Sequence, residues 1–168
     1  MDQKQLSCLM ADVRRGNADA FAAIYSDMRV PVFTVIYRIV GCREEAEDVM
    51  QEVFLRLFRA PPGDEVRDLR CYIFRMAHNA AADLLRRRGY RRHDPLDDDI
   101  IAPGEDIAVR MDIEAALAAL EDDERRAVVL HVNAGLTLAQ TASVMERNIS
   151  SVYRSYRSAI KKLRQKLG

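Results

Sequence analysis

The stretch from Gly135 to Leu167 constrains the fold most, because it has the pattern of two amphipathic helices joined by a short turn. Apolar residues recur in it every three to four positions, as they do on one face of a helix. The first stripe consists of Leu138, Ala142 and Met145, and the second of Val152, Tyr156, Ala159 and Leu163. Asn148 lies between the stripes and suits an N-cap, since its side chain can accept hydrogen bonds from free backbone N–H groups. The sequence therefore predicts a helix, a turn and a second helix.

The opposite face of the second predicted helix is polar, basic and partly aromatic. It consists of Ser150, Tyr153, Arg154, Arg157, Ser158 and Lys161, which also recur at helical spacing. A helix, a tight turn and a basic second helix form the arrangement that places side chains in the major groove of DNA. A solvated amphipathic helix with no DNA partner would give the same pattern. Features elsewhere in the chain are needed to distinguish a DNA-binding helix from a solvated one.

Length and composition restrict the class of protein. With 168 residues, 49% of them hydrophobic, the chain suits one or two small domains with real cores. No apolar run reaches the roughly 18–20 residues of a membrane span, and the N-terminus lacks the pattern of a signal peptide. The three cysteines are scattered and form no CxxC pair. We therefore expect a cytoplasmic protein with no membrane span of its own.

The net charge of zero conceals an uneven distribution along the chain. Residues 94–124 carry twelve acidic residues and one arginine, whereas residues 125–168 carry nine basic residues and one acidic residue. Residues 1–93 are slightly basic, with 16 Lys and Arg against 13 Asp and Glu. Basic faces attract phosphate backbones without reading their sequence. Two basic regions that flank an acidic one are therefore compatible with nucleic-acid binding.

Helical patterns also run through the N-terminal half. Asn17 suits the N-cap of one helix, Pro31 the first turn of the next, and Gly41 its end. Further helices are predicted over residues 44–59 and 68–88. A convincing strand pattern occurs nowhere in the sequence. The predicted fold class is therefore all-α.

Turn-forming and acidic residues indicate how the helices are grouped. Residues 94–110 contain Pro95, the pair Pro103-Gly104 and many acids, which favours a flexible linker. This interpretation divides the chain into a helical domain over residues 1–93, an acidic linker over 94–110, and a helix-turn-helix domain over 111–168.

Two of the N-terminal helices carry faces suited to partners. On the helix over residues 44–59, an acidic and polar face with an apolar residue would suit a basic partner protein, although solubility alone also explains it. That face consists of Asp48, Gln51, Glu52 and Leu55. The following helix ends in RRRGYRRH, where arginines around an aromatic residue suit phosphate contact and base stacking. A solvated helix end is the alternative for this run.

Signatures of catalysis are missing from the sequence. His78, His93 and His131 are far apart and show neither HxxxH nor HExxH spacing. A Gly-rich phosphate loop and a nucleophile elbow are also absent. We therefore predict a non-enzymatic protein with no catalytic residues, no metal ligands and no cofactor.

The two helical blocks resemble the bacterial RNA polymerase sigma factors. EEAEDVMQEVFLRLF, followed by LRCYIFRMAHNAAADLLRRR, is similar to the second domain of these factors. ALAAL, ERRAVVLHVNAGLTLAQTAS and VYRSYRSAIKKLR, in that order, are similar to the fourth domain. With only these two domains and a short linker, the chain resembles the extracytoplasmic-function (ECF) group of the sigma-seventy family. The resemblance implies a subunit that directs promoter-specific initiation of transcription.

The resemblance also implies a role for each candidate residue. Docking on the clamp of the polymerase largest subunit falls to Asp48, Gln51, Glu52 and Leu55. Recognition of melted minus-ten DNA, with a flipped base captured near the loop over residues 60–68, falls to Asp68, Tyr72, Arg75, Asn79, Arg86, Arg87 and Arg88. Reading of the minus-thirty-five duplex falls to Ser150, Tyr153, Arg154, Arg157, Ser158 and Lys161. The implied partners are core polymerase, including the flap of its second-largest subunit, promoter DNA in duplex and melted form, and an anti-sigma factor.

Three features depart from the family pattern. The family usually has Trp near Tyr72, whereas this chain contains no Trp. Glu146 and Arg147 occupy the turn in which Gly and an apolar residue are usual, and Gly is favoured there because it takes positive φ cheaply. The predicted reading helix alternates Ser, Tyr and Arg and is less rich in Arg. Two alternatives stay open: a stand-alone helix-turn-helix regulator, and a sigma-like antagonist that binds polymerase without reading promoters.

Overall fold

The computed structural model describes residues 1–89 and 107–168, and the regular structure in these ranges is entirely helical. The helices are α1 (Gln3–Arg14), α2 (Ala18–Val40), α3 (Arg43–Arg59), α4 (Leu69–Arg88), α5 (Ile107–Ala118), α6 (Asp122–Val128), a π-helical segment (Val129–Asn133), α7 (Leu138–Met145) and α8 (Ile149–Leu167). The predicted all-α class is confirmed. The end of the arginine-rich run and residues 94–106 of the predicted linker lie outside the described residues, and residues 107–110 form the first turn of α5.

The first four helices form a bundle around α2, which packs against α1, α3 and α4. Apolar side chains at helical spacing meet in its core, and removing this surface from water drives the packing. The most deeply buried large side chains are Met10, Ile24, Met28, Val32, Val35, Ile36, Leu57, Ile73 and Phe74. Asn17 caps α2 by accepting from the backbone N–H of Asp19 and Ala20. Asp68 caps α4 in the same way through Cys71.

The prediction of two helices divided at Pro31 is wrong, because α2 continues through Pro31. Proline inside a helix removes one backbone hydrogen bond and usually kinks or breaks the helix. Here residues on both sides of the proline belong to one buried stripe, with Met28 and Val32 at most 1% exposed. Burial of this continuous stripe offsets the local penalty. The helix ends at Gly41, which adopts φ 79° as the C-cap, as the sequence predicted.

The last four helices form a second bundle in which α8 packs against α6, α7 and α5. Val152 and Ala159 of α8 are at most 1% exposed, so the predicted stripe on this helix does face the core. The N-cap prediction is also confirmed, since the Asn148 carboxamide oxygen accepts from the backbone N–H of Ser151 at 2.8 Å. Helix α7 begins with a capping box between Thr137 and Gln140. The helix-turn-helix is therefore built with regular caps.

The turn between α7 and α8 is made without glycine. Glu146 adopts φ 54° and ψ 41°, the left-handed conformation that ends α7. The backbone N–H of Arg147 donates to the Ala142 carbonyl at 3.0 Å, as is usual where an α-helix ends at a residue in the left-handed conformation. Among the described residues other than glycine, Glu146 alone has positive φ. The cost of a positive φ in a residue with a side chain thus lies at Glu146, while the geometry of the turn is preserved.

The two bundles pack against each other, chiefly through α4 with α7 and through α2 with the π-helical segment. This packing changes the buried side of α4. Helical spacing alone favours Met76, Ala80 and Leu84 as core positions, but they are only partly buried. The fully buried positions are Leu69, Cys71, Ile73, Phe74, Ala77, His78 and Ala81. A single amphipathic stripe would serve one neighbour, whereas α4 contacts both α2 and the second bundle and buries a wider surface.

Candidate nucleic-acid interface

The predicted polymerase-docking face of α3 is exposed to solvent. Asp48, Gln51, Glu52 and Leu55 all lie on the outside of the bundle, and Leu55 is 50% exposed. The buried residues Val49 and Val53 hold the opposite side of the helix against α2 and α4. Phe58, one turn beyond Leu55, is 48% exposed and extends the apolar part of this face. Exposed apolar side chains next to acidic ones are suited to a protein partner.

A cleft of about 320 Å³ lies between α3 and α4 and brings together most of the predicted minus-ten residues. The site residues that line it are Tyr72, Arg75, Asn79 and Arg87 from α4, joined by Glu52 from the docking face. Arg56 and Asp83 add a further positive and a further negative charge. The sequence assigned Glu52 to polymerase docking alone, and its place beside the α4 residues is new information. The cleft offers a phenol ring, a carboxamide and guanidinium groups at one place.

Three predicted minus-ten residues lie elsewhere. Asp68 is the N-cap of α4 and faces the second bundle. Arg88 points inward, with a side chain 19% exposed, and donates to the Glu45 carboxylate and, at 2.8 Å, to the Val40 carbonyl. Arg86 is exposed and paired with Asp83. Of the three consecutive arginines, Arg88 therefore ties the ends of α2 and α3 together, whereas Arg86 and Arg87 face solvent.

The predicted duplex-reading face of α8 divides into two parts. Ser150, Tyr153, Arg154, Arg157 and Lys161 are exposed. The Arg157 guanidinium lies 5.8 Å from the centroid of the Tyr153 ring, which is a cation–π contact. Ser158 instead faces α6, where its hydroxyl donates to the Glu124 carboxylate at 2.6 Å. The sequence pattern placed Ser158 on the outer face because it could not show which side α6 covers.

The interface between the bundles uses residues of the predicted DNA site. Gln140 of α7 donates to the Asp68 carboxylate at 2.6 Å, and Arg75 donates to the Ser143 hydroxyl at 2.5 Å. Arg70 donates to the Ala134 carbonyl through Nε and Nη2, at 3.2 and 2.9 Å. These partners in the second bundle were not identified from sequence. The capping-box pattern of Thr137 and Gln140 could have marked Gln140 as a helix-end residue, although not its contact with Asp68.

A separate ion pair also joins the two bundles. The Arg38 guanidinium of α2 donates to the Glu114 carboxylate of α5 at 3.0 Å, and the two side chains are 15% and 10% exposed. A pair so shielded from water is costly to break, because each charge would be left without its partner. The closed arrangement of the bundles thus rests on polar contacts at several separate places.

His78 is buried within the interface, at 5% exposure. Its Nδ1 lies 3.2 Å from the Asn79 carboxamide oxygen, and its Nε2 is buried without a hydrogen-bond partner. Burial lowers the pKa of His78, and the positive charge of Arg126 acts in the same direction. The contact with Asn79 and the carboxylates of Glu146 and Asp123 oppose this shift without reversing it. The neutral imidazole is therefore the form that fits the closed arrangement.

A second cleft, of about 680 Å³, lies between the end of α4 and the α5–α6 turn and contains several arginines. Most of these arginines have acidic partners nearby. Arg125 pairs with Asp122 at 3.0 Å, and Arg147 with Asp123 at 3.6 Å. Arg88 is held by Glu45, as described above. Internal pairing therefore accounts for much of the positive charge in this cleft.

Two further properties bear on function. Within residues 1–89 and 107–168, His, Cys, Asp and Glu side chains do not cluster in groups that could hold a metal ion. Helices in the same ranges are also too short or too polar to cross a bilayer.

Comparison with known proteins identifies the two bundles. Residues 24–91 match the sequence model of Sigma-70 region 2, and residues 110–163 match that of Sigma-70, region 4. Among curated relatives, the ECF RNA polymerase sigma factor SigK of Mycolicibacterium vanbaalenii is 28% identical, over 98% of this chain and 90% of that protein. The ECF sigma factor BldN of Streptomyces coelicolor is 28% identical, over 94% of this chain and 65% of that protein.

Solved structures show the same fold. CnrH, in complex with the cytosolic domain of CnrY, superposes with a TM-score of 0.74 at 23% identity and covers 99% of this chain and 97% of that one. The sigma factor RpoE of Bartonella quintana, in complex with the anti-sigma factor NepR, superposes with a TM-score of 0.67 at 16% identity and covers 86% and 96%. The order of the two matched regions, the named relatives and the all-α architecture agree. The chain belongs to the extracytoplasmic-function group of the sigma-70 family.

Proposed function

We propose that this sigma factor binds core RNA polymerase and directs it to promoters with a minus-ten and a minus-thirty-five element. The chemistry of transcription belongs to the polymerase, and this chain acts as its specificity subunit. The observation that carries the proposal is the cleft between α3 and α4, because it adjoins the exposed docking face and contains Tyr72, Asn79 and Arg87. The same two helices would thus contact polymerase on one side and DNA on the other.

The cleft is suited to an unstacked nucleobase. An aromatic ring can stack on any base, and this interaction is worth about 1–3 kcal/mol for each base. Tyr72 supplies the ring, and it occupies the region where the family usually has Trp. The Asn79 carboxamide can both donate to and accept from a base edge. Arg75 and Arg87 can neutralise the adjoining phosphates. A flipped base exposes edges that a closed duplex hides, so this site favours melted DNA.

The exposed face of α8 is suited to duplex DNA. Arg154 and Arg157 can each make a bidentate contact with guanine, which is worth about 1–3 kcal/mol of discrimination against the wrong base. Tyr153 holds the Arg157 guanidinium over its ring, which limits the conformations that Arg157 has to lose on binding. Lys161, one turn further along, can contact the phosphate backbone. We assign reading of the minus-thirty-five element to this face.

The closed arrangement of the two bundles would have to open on a promoter. The two elements are centred about 25 base pairs apart, which corresponds to about 85 Å of B-form DNA at 3.4 Å for each base pair. Helices α4 and α7 are instead joined by hydrogen bonds, including that between Asp68 and Gln140. We therefore propose that binding to polymerase separates the bundles. The free chain should bind promoter duplex poorly, whereas the holoenzyme should bind it well.

We also propose that an anti-sigma factor regulates this chain. The proposal is supported by the partners in the structures that share its fold, which are the cytosolic domain of CnrY and the anti-sigma factor NepR. A protein that covers the exposed acidic and apolar face of α3 would compete with polymerase. The Leu55 and Phe58 side chains, each about half exposed, offer such a partner apolar contacts.

Co-elution with purified core polymerase tests the docking part of the proposal. The double variant Glu52→Lys with Leu55→Arg reverses one charge and adds another on the proposed face, and it should weaken binding by about tenfold or more. The control is Asp112→Lys, which makes the same charge reversal as Glu52→Lys at an exposed acid of α5, and it should bind normally. Equal binding by all three chains would refute docking through α3.

A further inference from the structure

Glu124 of α6 holds two residues of α8 that are one helical turn apart. Its Oε1 accepts from the Ser158 hydroxyl at 2.6 Å and from Lys162 Nζ at 2.9 Å. Its Oε2 accepts from the same Nζ at 2.8 Å and from the backbone N–H of Glu121 at 3.1 Å. Both carboxylate oxygens therefore have donors, and two of the three donor groups belong to the helix that carries the proposed duplex-reading face.

The Glu124 contact differs from an ordinary surface ion pair. The Glu124 side chain is only 9% exposed, whereas that of Lys162 is 45% exposed. A shielded carboxylate needs its donors, because an unpaired charge in such a place is strongly unfavourable. Hydrogen bonds are directional, whereas the apolar contacts of Val152 and Ala159 are not. Glu124 can therefore fix the rotation of α8 about its own axis in a way that the core alone cannot.

That rotation decides which side chains face a DNA groove. Successive residues of a helix are separated by 100°, since 3.6 residues complete a turn. Ser158 and Arg157 are neighbours in sequence, yet the first is bound to Glu124 and the second is exposed beside Tyr153. A modest rotation of α8 would bring Ser158 outward and move Arg157 away from the groove.

We propose that Glu124 is a positioning residue for promoter reading, which withdraws Ser158 from the duplex and leaves Tyr153, Arg154 and Arg157 to read it. This inference rests on the proposed function, in which α8 enters the major groove of the minus-thirty-five element. It removes Ser158 from the base-reading residues that the sequence suggested. It also assigns a specificity role to a buried residue that touches no DNA.

The experiment uses the full chain with core polymerase and a promoter library randomised in the upstream element, and transcripts are sequenced to count each template. Adjacent residues on α8 supply matched pairs. Lys162→Gln removes the partner of Glu124, and Lys161→Gln removes a neighbouring exposed lysine. In the second pair, Ser158→Ala changes the residue that faces Glu124, and Arg157→Ala changes its exposed neighbour. Glu124→Gln removes the negative charge that binds Lys162 and Ser158.

The unaltered chain should discriminate by about tenfold or more at a position read by arginine, and Glu124→Gln and Lys162→Gln should reduce this to about threefold or less. Lys161→Gln should lower the transcript counts of all templates by a similar factor, as loss of a phosphate contact does. Ser158→Ala should keep the same preferred base at every position, whereas Arg157→Ala should lose one preference. A loss of stability alone would lower the transcript counts of all templates together and would leave the base preference at each position unchanged.

Two results would overturn the inference. One is a Ser158→Ala profile that loses preference at a single position, which would show direct reading by Ser158. The other is an unchanged base preference for Lys162→Gln, which would show that the contact with Glu124 does not position α8. Because Lys162→Gln keeps Glu124, this result can be obtained even if Glu124→Gln does not fold. If the unaltered chain selects no upstream sequence at all, the proposed reading by α8 fails, and this result is distinct from both others.

Discussion

Gln140 and Asp68 join the beginnings of two helices, with the Gln140 carboxamide donating to the Asp68 carboxylate at 2.6 Å. Asp68 caps α4 through its other oxygen, and Gln140 accepts from the Thr137 N–H in the capping box of α7. Each side chain thus uses one polar atom to cap its own helix and the other to bind the neighbouring bundle. A residue of the predicted minus-ten site is thereby occupied by the helix-turn-helix domain.

Gln140→Glu should open the closed arrangement. Glutamate keeps the capping box, which accepts Gln or Glu at this position, but it replaces the donor that faces Asp68 with a second carboxylate. Two carboxylates at this distance repel each other. We expect a larger radius of gyration in small-angle scattering at pH 7 and faster hydrogen exchange where α4 meets α7.

A compensating change provides the control for this prediction. Asp68→Asn, added to Gln140→Glu, keeps a good N-cap and restores a donor opposite the new carboxylate. The double variant should return toward the dimensions of the unaltered chain. If Gln140→Glu alone leaves the radius of gyration unchanged, the contact between these residues does not hold the bundles together.

His78 should make the stability of the closed chain depend on pH. Burial and the charge of Arg126 lower the pKa of His78 below its ordinary value of 6.5, so the folded chain favours the neutral imidazole. The stabilising contribution is present above the ordinary value and is lost as the pH falls through the lowered pKa. We expect the melting temperature to fall more steeply below about pH 6.5 for the unaltered chain than for His78→Gln. Parallel curves for the two chains would show that His78 does not titrate in this way.

Glu146→Gly should stabilise the helix-turn-helix. Glu146 holds φ 54°, a conformation that costs a residue with a side chain about 1–2 kcal/mol and costs glycine little. Because glycine also gains freedom in the unfolded chain, the net increase in the free energy of unfolding should be about 0.5–1 kcal/mol. Glu146→Ala removes the same charge but keeps Cβ, so denaturant unfolding should show no comparable gain for it. Equal effects of the two substitutions would point to charge as the cause.

Glu124→Gln should destabilise the second bundle in a pH-dependent way. Burial alone would raise the pKa of Glu124, but the hydrogen bonds from Lys162, Ser158 and the Glu121 N–H outweigh it and lower the pKa. The contribution to stability is therefore present above the ordinary value of 4.5 and is lost as the pH falls through the lowered pKa. At pH 7 the substitution should lower the free energy of unfolding by about 1–3 kcal/mol. The difference should shrink in acid, and a constant difference would contradict this account.

Local signals predicted the helices well, and packing explains where they failed. Side-chain caps at Asn17 and Asn148 act at short range and were readable from the sequence. The break expected at Pro31 did not occur, because buried contacts on both sides of it outweigh a local preference. Helix α1 was not predicted at all. Sequence periodicity shows that a helix has an apolar stripe, but it does not show which helix covers that stripe.

The candidate site was predictable to a similar extent. The face of α3 and the outer face of α8 followed from spacing and from the family resemblance, and both are exposed. The inward positions of Arg88 and Ser158 could not be read from spacing, because they depend on Glu45 and Glu124, which belong to other helices. The contacts between the bundles were equally hidden, since they join residues more than sixty positions apart, such as Arg70 and Ala134.

Transcription by purified core polymerase on sheared genomic DNA, with and without this chain, tests whether the chain is a promoter-specificity subunit when transcript 5′ ends are sequenced. We predict new start sites that share two upstream motifs, and loss of these starts with the Glu52→Lys, Leu55→Arg variant. Co-elution with core polymerase but no new starts would instead indicate an antagonist. Neither starts nor co-elution, together with a two-fold symmetric footprint of the free chain on DNA, would contradict the account and indicate a stand-alone regulator.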